Sequence, residues 1–495
     1  MNSSNRMECI SRMREFRAAI QKTDKGVASM NNRWRKRIEP AWPAAKKRAH
    51  SMAGVPVAIL ALALLASACG GGSVKDGESK GTKAVDEPAP PAAAAKPKEP
   101  IELVVKDSIF GWTNEAFVTN YATAIEKKFP HIKLKFVDYA SSKLPEMVAS
   151  KQQIDIVLAS LNNFYAALLD TGLKYDITPE IKKFKYDLNR LDPGTVALAK
   201  QLADGGMYGL PIVGSPTAIT YNKDLFDKFG VSYPKDDMTW EQFIDLTKRM
   251  SRVEGGVQYR GSLLFTNFTI LRNPLSLGFI DPATDKAVVN TDKWKNFFDQ
   301  FANLYRVPGN QTDKSLFSGT PGLNTFVKDQ NVAMISMVSG TNVKGVWVDA
   351  GMNVDYVQFP TFKEAPGMGP QPYPTYFYVS STSKYKDEVF EVLTYLTSDE
   401  YQMEASKLGN ITVLNNKSIQ AALASSLPEF KGKNISAFIP KQVAPPAYQT
   451  KYDSVVRGFM DAAFKDVATG LKDINTALRE AEEGANKAIA ESKAK

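Results

Sequence analysis

Between residues 101 and 158 the chain changes its hydrophobic period four times. Ile101-Glu102-Leu103-Val104-Val105 is a short apolar strand, and over 115–128 the apolar positions Phe117, Tyr121, Ala124 and Ile125, continued by Phe129, recur at three- and four-residue steps. Residues 132–137 form a second strand, 144–150 a second helix and 154–158 a third strand. Strand, helix, strand, helix, strand predicts an α/β fold whose parallel sheet is joined by right-handed crossovers. Ligands of such sheets sit at the carboxyl ends of the strands, so the loops after Val105, Val137 and Leu158 are the places to look.

The reactive side chains narrow the chemistry. The 495 residues are enough for two or more domains, but they contain two cysteines, Cys9 and Cys69, and two histidines, His50 and His131. Past residue 69 that leaves one histidine, which excludes a Cys/His metal cluster, a disulfide framework and a cysteine nucleophile. No metal and no cofactor are expected. The net charge of +9 is also local: residues 1–50 carry 13 Lys+Arg against 4 Asp+Glu, and the remainder carries 49 of each. The basic excess lies in the leader, so no nucleic-acid partner is expected.

Lys46-Lys47-Arg48 precede an uncharged apolar run over 55–68. That run is too short to span a ~30 Å hydrocarbon core and has the layout of a secretory signal, so residues 1–68 read as leader and signal peptide. Ala66-Ser67-Ala68-Cys69 resembles the bacterial lipobox, with Ala66 where leucine is usual. The resemblance implies cleavage before Cys69 and acylation of its thiol; cleavage near Ala68 without a lipid is the alternative. Residues 69–100, with Gly70-Gly71-Gly72-Ser73 followed by a Pro/Ala-rich stretch, then form a tether. The expected location is the outer face of the cell membrane, and the expected start of translation is Met30 or Met52.

Further along, 204–211 and 221–226 read as turns, and Thr239 with Gln242 makes a capping box ahead of a helix. Apolar strands are expected at 332–337 and 376–380 and helices at 386–398 and 473–490. Trp240, Trp294 and Trp347 read as core. In order, "DGGMYGLPI", "YNKDLFDKFGV", "TWEQFIDLTKRM", "NVAMISMVSG", "YFYVSSTSKYKDEVFEVLTYLTSDEYQ" and "DINTALREAEEGANKAIA" are similar to the extracellular solute-binding proteins of carbohydrate ABC importers, the group that includes maltose-binding protein. The resemblance covers about residues 101–495. It implies a two-lobed, type II periplasmic-binding-protein-like α/β fold. The amino-terminal lobe would be 101–212 plus 372–412 and the carboxy-terminal lobe 216–368 plus 413–495, with crossings near 211–217, 359–376 and 408–414. It also implies a monomeric receptor that closes on a small-molecule ligand, a sugar, and passes it unaltered to an ABC permease. No enzyme activity is expected.

A sugar presents hydroxyls around apolar C–H faces, so its site combines aromatic plates with short polar side chains. Candidates are Asp107 and Trp112 after the first strand, Asp155 beside the third, and Ser160, Asn162 and Asn163 after it. The first crossing supplies Ser215 and Thr217, the second lobe Asn267, Thr341 and Asn342, and the returning strand Tyr373 and Tyr376. Where maltose-binding protein carries a stacking tryptophan, an acidic–basic pair, a crossing glutamate and a second-lobe aromatic, this chain has Ala159, Asn162-Asn163, Ser215 and Asn342. Those departures argue against maltose itself. A peptide, polyamine or uronate in the same fold is the alternative, and a two-carboxylate glycoside hydrolase a more distant one.

Overall fold

The computed structural model describes residues 98–109, 112–215, 217–336 and 342–494, and at Asn267 the backbone alone. Cys69 and Thr341, with residues 1–97, lie outside the described residues.

Two five-stranded sheets organise the fold. The first contains β1 (Ile101–Asp107), β2 (Ile132–Val137), β3 (Ile156–Ser160) and β4 (Gly209–Val213) in the order β2-β1-β3-β11-β4, where β11 is Thr375–Val379. β1 runs parallel to β2 and β3 as the hydrophobic period requires, and β11 returns antiparallel between β3 and β4. The second sheet contains β5 (Ile219–Asn222), β6 (Arg252–Glu254), β7 (Val257–Leu264), β8 (Val332–Ser336) and β9 (Val354–Val357) in the order β9-β5-β8-β7-β6. A short parallel pair joins β10 (Met368–Gly369) to β12 (Gln442–Val443).

Each sheet has its own apolar core. One core draws on residues between Leu103 and Ile212 and between Tyr376 and Ile419; the other on residues from Ala218 to Phe362, Tyr373, and Leu423 to Ile489. Two separate cores make two lobes. Helix α1 (Pro193–Leu202) packs in the first lobe. In the second, α2 (Trp240–Met250) meets α4 (Asp292–Arg306) through Trp240, whose ring centroid lies 4.4 Å from that of Phe301 and 5.3 Å from that of Phe359, and α3 (Thr266–Leu271) adds Ile270 and Leu271 to the same core. Trp294 and Trp347 are core residues as well. Helix α5 (Lys386–Leu396) belongs to the first lobe. After the short α6 (Lys417–Ala421), α7 (Asp453–Ala468) and α8 (Ile474–Lys493) close the second.

Three details differ from the sequence reading. Residues 221–226 are not a turn: β5 runs into the helix Lys223–Phe229, because the Asn222 carboxamide caps it by accepting from Asp224 N at 3.0 Å. Val413, Leu414 and Ile419, expected in the carboxy-terminal lobe, pack in the first core, where Asp192 N donates to Val413 O at 2.9 Å and Leu191 bridges Leu414. Tyr373, expected in the amino-terminal lobe, packs in the second core.

The lobes are linked at β4–β5, at β10–β11 and after residue 407. The first and third links are stitched together where Gly214 N donates to Ile411 O at 2.9 Å. A further contact, which the sequence did not suggest, is made by the proline-rich stretch around Pro445 and Pro446. There Ala447 N donates to Gln371 Oε1 at 2.6 Å, and the Gln449 backbone exchanges two 3.0 Å bonds with the Gln201 carboxamide of the first lobe. Among the described residues no helix is long and apolar enough to cross a membrane.

Candidate functional site

The carboxyl ends of β1 and β3 carry five of the predicted residues: Asp107, Trp112, Ser160, Asn162 and Asn163. β1 ends in Asp107, which is fully buried; its Oδ1 accepts from Ile109 N at 2.7 Å, while Oδ2 has no partner among the described residues. Burial pushes the Asp107 carboxyl up to about 7, against the pull of the Ile109 amide and of Lys106. Lys106 is itself buried and lowered by desolvation, with its Nζ donating to Asp138 O at 2.6 Å. Trp112 is half-buried and stacks on Tyr121, with centroids 5.5 Å apart.

β3 ends in Ser160. Its hydroxyl lies 3.0 Å from that of Tyr373 and donates to Asn163 Oδ1 at 3.2 Å. Tyr373 is 8% exposed, raised by burial, and edge-on to Phe268 of α3 at 5.9 Å. Next to this chain of polar groups, Asn162 Oδ1 accepts from the guanidinium of Arg457, which α7 carries across from the second lobe. Ser160, Asn163 and Tyr373 form one hydrogen-bonded set and Asn162 with Arg457 a second, and the two meet at the Tyr373 hydroxyl, which both the Asn162 backbone and the Arg457 charge hold down against burial, so that one polar cluster draws on both lobes.

Arg457 is a residue the sequence reading missed. Its guanidinium is lowered by desolvation and held partly up by Tyr373, Asp453 and Asp461. Asp453, at the start of α7, accepts from Thr450 N and Oγ1 through Oδ1 and leaves Oδ2 without a partner among the described residues. Burial raises that carboxyl to about 6. The signal is an arginine flanked by Val455, Val456, Phe459 and Met460 in the helix, detectable only once α7 is known to face the first lobe.

Ser215, Thr217 and Tyr373 line a cavity of about 420 Å³ at the crossing segments, together with Arg272 just past α3. Trp112, Asn162 and Asn163 are not part of its wall.

Other candidates are placed elsewhere. Asp155 precedes β3 and so sits at the wrong end of the sheet; its carboxylate accepts from Val104 N (2.8 Å), Gln153 (2.7 Å) and Ser383 (2.7 Å) and ties the strands together. Tyr376 is 0% exposed inside the first core and donates to Thr195 O, because β11 alternates its faces and turns this ring inward. Asn342 holds the third link: its Nδ2 donates to Leu408 O at 2.7 Å and its Oδ1 accepts from Lys344 N. These three are structural. Asn267 lies on α3. No cluster of three or more His, Cys, Asp or Glu side chains able to hold a metal occurs among the described residues.

Residues 111–403 match the profile of the bacterial extracellular solute-binding proteins. The chain belongs to this family. A curated relative, the sn-glycerol-3-phosphate-binding periplasmic protein UgpB of Rhizobium meliloti, is 24% identical over 335 residues, 62% of this chain and 73% of that protein. Among solved structures, a sugar transporter of Rhizobium etli in an open conformation superposes with a TM-score of 0.63 at 21% identity, covering 78% of this chain and 99% of the other. An ABC substrate-binding protein of Listeria monocytogenes in complex with cycloalternan gives a TM-score of 0.61 at 21% identity, over 79% and 100%. The chain is a bacterial extracellular solute-binding protein with the two-lobed fold of these neighbours.

Proposed function

We propose that this solute-binding protein captures a carbohydrate between its lobes, closes on it by bending at the crossing segments, and delivers it unaltered to the permease of its importer. The cluster that joins Tyr373, Ser160 and Asn163 to Asn162 and Arg457 carries this reading. It sets hydroxyls and carboxamides from both lobes at one point, with Trp112 near the end of β1 as an aromatic plate, and a polyol needs both. A ligand that touches both lobes favours the closed state by its differential affinity, so no chemical step is required. The apolar run before Ala66-Ser67-Ala68-Cys69 supports a lipid on Cys69 that tethers a monomer to the outer face of the membrane.

The test is a thermal-shift screen of neutral mono- and oligosaccharides followed by calorimetry, since a ligand bound only by the native state raises the melting temperature. Trp112→Ala is expected to weaken the best ligand by about 1–3 kcal/mol. Unchanged affinity removes Trp112 from the site, and no response to any sugar removes the carbohydrate. A polyol phosphate is the second reading, favoured by the Arg457 guanidinium in the cluster and by the relative named for sn-glycerol-3-phosphate. It predicts a response to that ester that Arg457→Gln abolishes.

A further inference from the structure

The 420 Å³ cavity at the crossing segments lies at the β11–β4 side of the first sheet, where the chain passes between lobes. Arg272 forms part of its wall and is 6% exposed. Its Nε donates to Gln371 O at 2.9 Å, and its Nη1 has no partner among the described residues. No carboxylate among the described residues pairs with it. A buried, unpaired guanidinium is costly, and in native proteins such a charge is normally met by an anion.

The surroundings favour the same charge. Thr217 Oγ1 is buried, lines the cavity and lacks a partner among the described residues. Lys417 stands in the wall, as does Lys441, whose Nζ donates to Asp237 Oδ2 at 2.8 Å. The one carboxylate there, Asp192, is engaged at the start of α1, where its Oδ1 accepts from Thr195 N and Oγ1, both at 2.8 Å. Arg272 and Lys417, one carboxylate engaged through Oδ1 and two unmet donors surround a space large enough for a small organic molecule.

We propose that this cavity, which borders the carbohydrate cluster at Tyr373, is an anion site in which Arg272 and Thr217 hold a small carboxylate or phosphate. A guanidinium matches the two oxygens of either group with paired N–H bonds, and the Thr217 hydroxyl adds a third donor. Burial without a counter-ion already draws the Arg272 guanidinium down to about 10, and an anion in the cavity would relieve that.

The experiment is calorimetric titration of the purified protein with inorganic phosphate and, separately, with succinate. The variants are Arg272→Gln, Thr217→Val and, as a control in the carbohydrate cluster, Arg457→Gln. The expected result is saturable one-site binding of at least one anion, weakened about tenfold or more by Arg272→Gln, less by Thr217→Val, and retained by Arg457→Gln. Should Arg272→Gln not fold, weakening by Thr217→Val alone with retention in Arg457→Gln supports the site. The proposal falls if wild-type protein takes up neither anion, if Arg272→Gln or Thr217→Val binds as well as wild type, or if Arg457→Gln is the variant that loses binding. A failed sugar screen leaves this result untouched, so the two readings stand or fall separately.

Discussion

Asp107 and Asp155 illustrate how far a single letter can be read. Both are acidic residues beside apolar strands, and the sequence offers both as ligand groups. The fold separates them: Asp155 meets Val104 N and Ser383 from distant segments, whereas one oxygen of Asp107 meets nothing among the described residues. Partners 51 and 228 positions away cannot be read from spacing. Folding raises the Asp107 carboxyl from 3.8 to about 7, so between those values the native state holds a proton that the unfolded chain has released. The stability tied to that proton is complete below pH 4 and falls as pH rises to 7. Asp107→Asn removes the titration. Its urea midpoint is therefore expected to decline less than that of wild type from pH 4 to pH 7, and parallel declines would show that Asp107 does not set the slope.

Helices and strands were the most legible features, because their signals are local. Thr239 and Gln242 form the expected capping box, with Thr239 N donating to Gln242 Oε1 at 2.9 Å, and Asp473 caps α8. β1, β2, β3 and β11 follow the period, and Trp240, Trp294 and Trp347 are buried as expected. Local signals failed where a tertiary neighbour decides. "DGGMYGLPI" reads as a turn, yet Gly209 opens β4, where it is pressed against β11. A Cβ on Gly209 would stand 2.2 Å from Phe377 O and 2.7 Å from Tyr378 Cα, both backbone atoms that cannot step aside. The glycine is there for close approach within the sheet. Gly209→Ala is expected to destabilise the protein by about 3 kcal/mol through overpacking, read from the denaturation midpoint. A loss under about 0.5 kcal/mol, the ordinary size of a surface change, would mean that the strands shift freely.

The division into two lobes was readable through resemblance alone, since nothing in the periodicity states that the chain crosses between cores and returns. Nor does it announce the contact through Gln449, or the reach of Arg457 to Asn162 over 295 positions. These contacts matter because they act before any ligand arrives. The backbone links near Gly214 and Gln371 lie beside the covalent connections between the cores and would persist in any bending of the lobes. The contact between Asn162 and Arg457 has no such support and joins side chains alone. Like the Ser160–Tyr373 contact, it is one that a hinge would break and that a ligand held between the lobes would have to replace. A charged hydrogen bond of this kind contributes about 1.5–3 kcal/mol, enough to shift a two-state equilibrium by an order of magnitude or more. Arg457→Ala should therefore release the unliganded lobes, seen as a larger radius of gyration in X-ray scattering, while the far-ultraviolet dichroism stays that of wild type. Equal radii would mean that the backbone links alone fix the lobe angle, and that the arginine serves the ligand rather than the hinge.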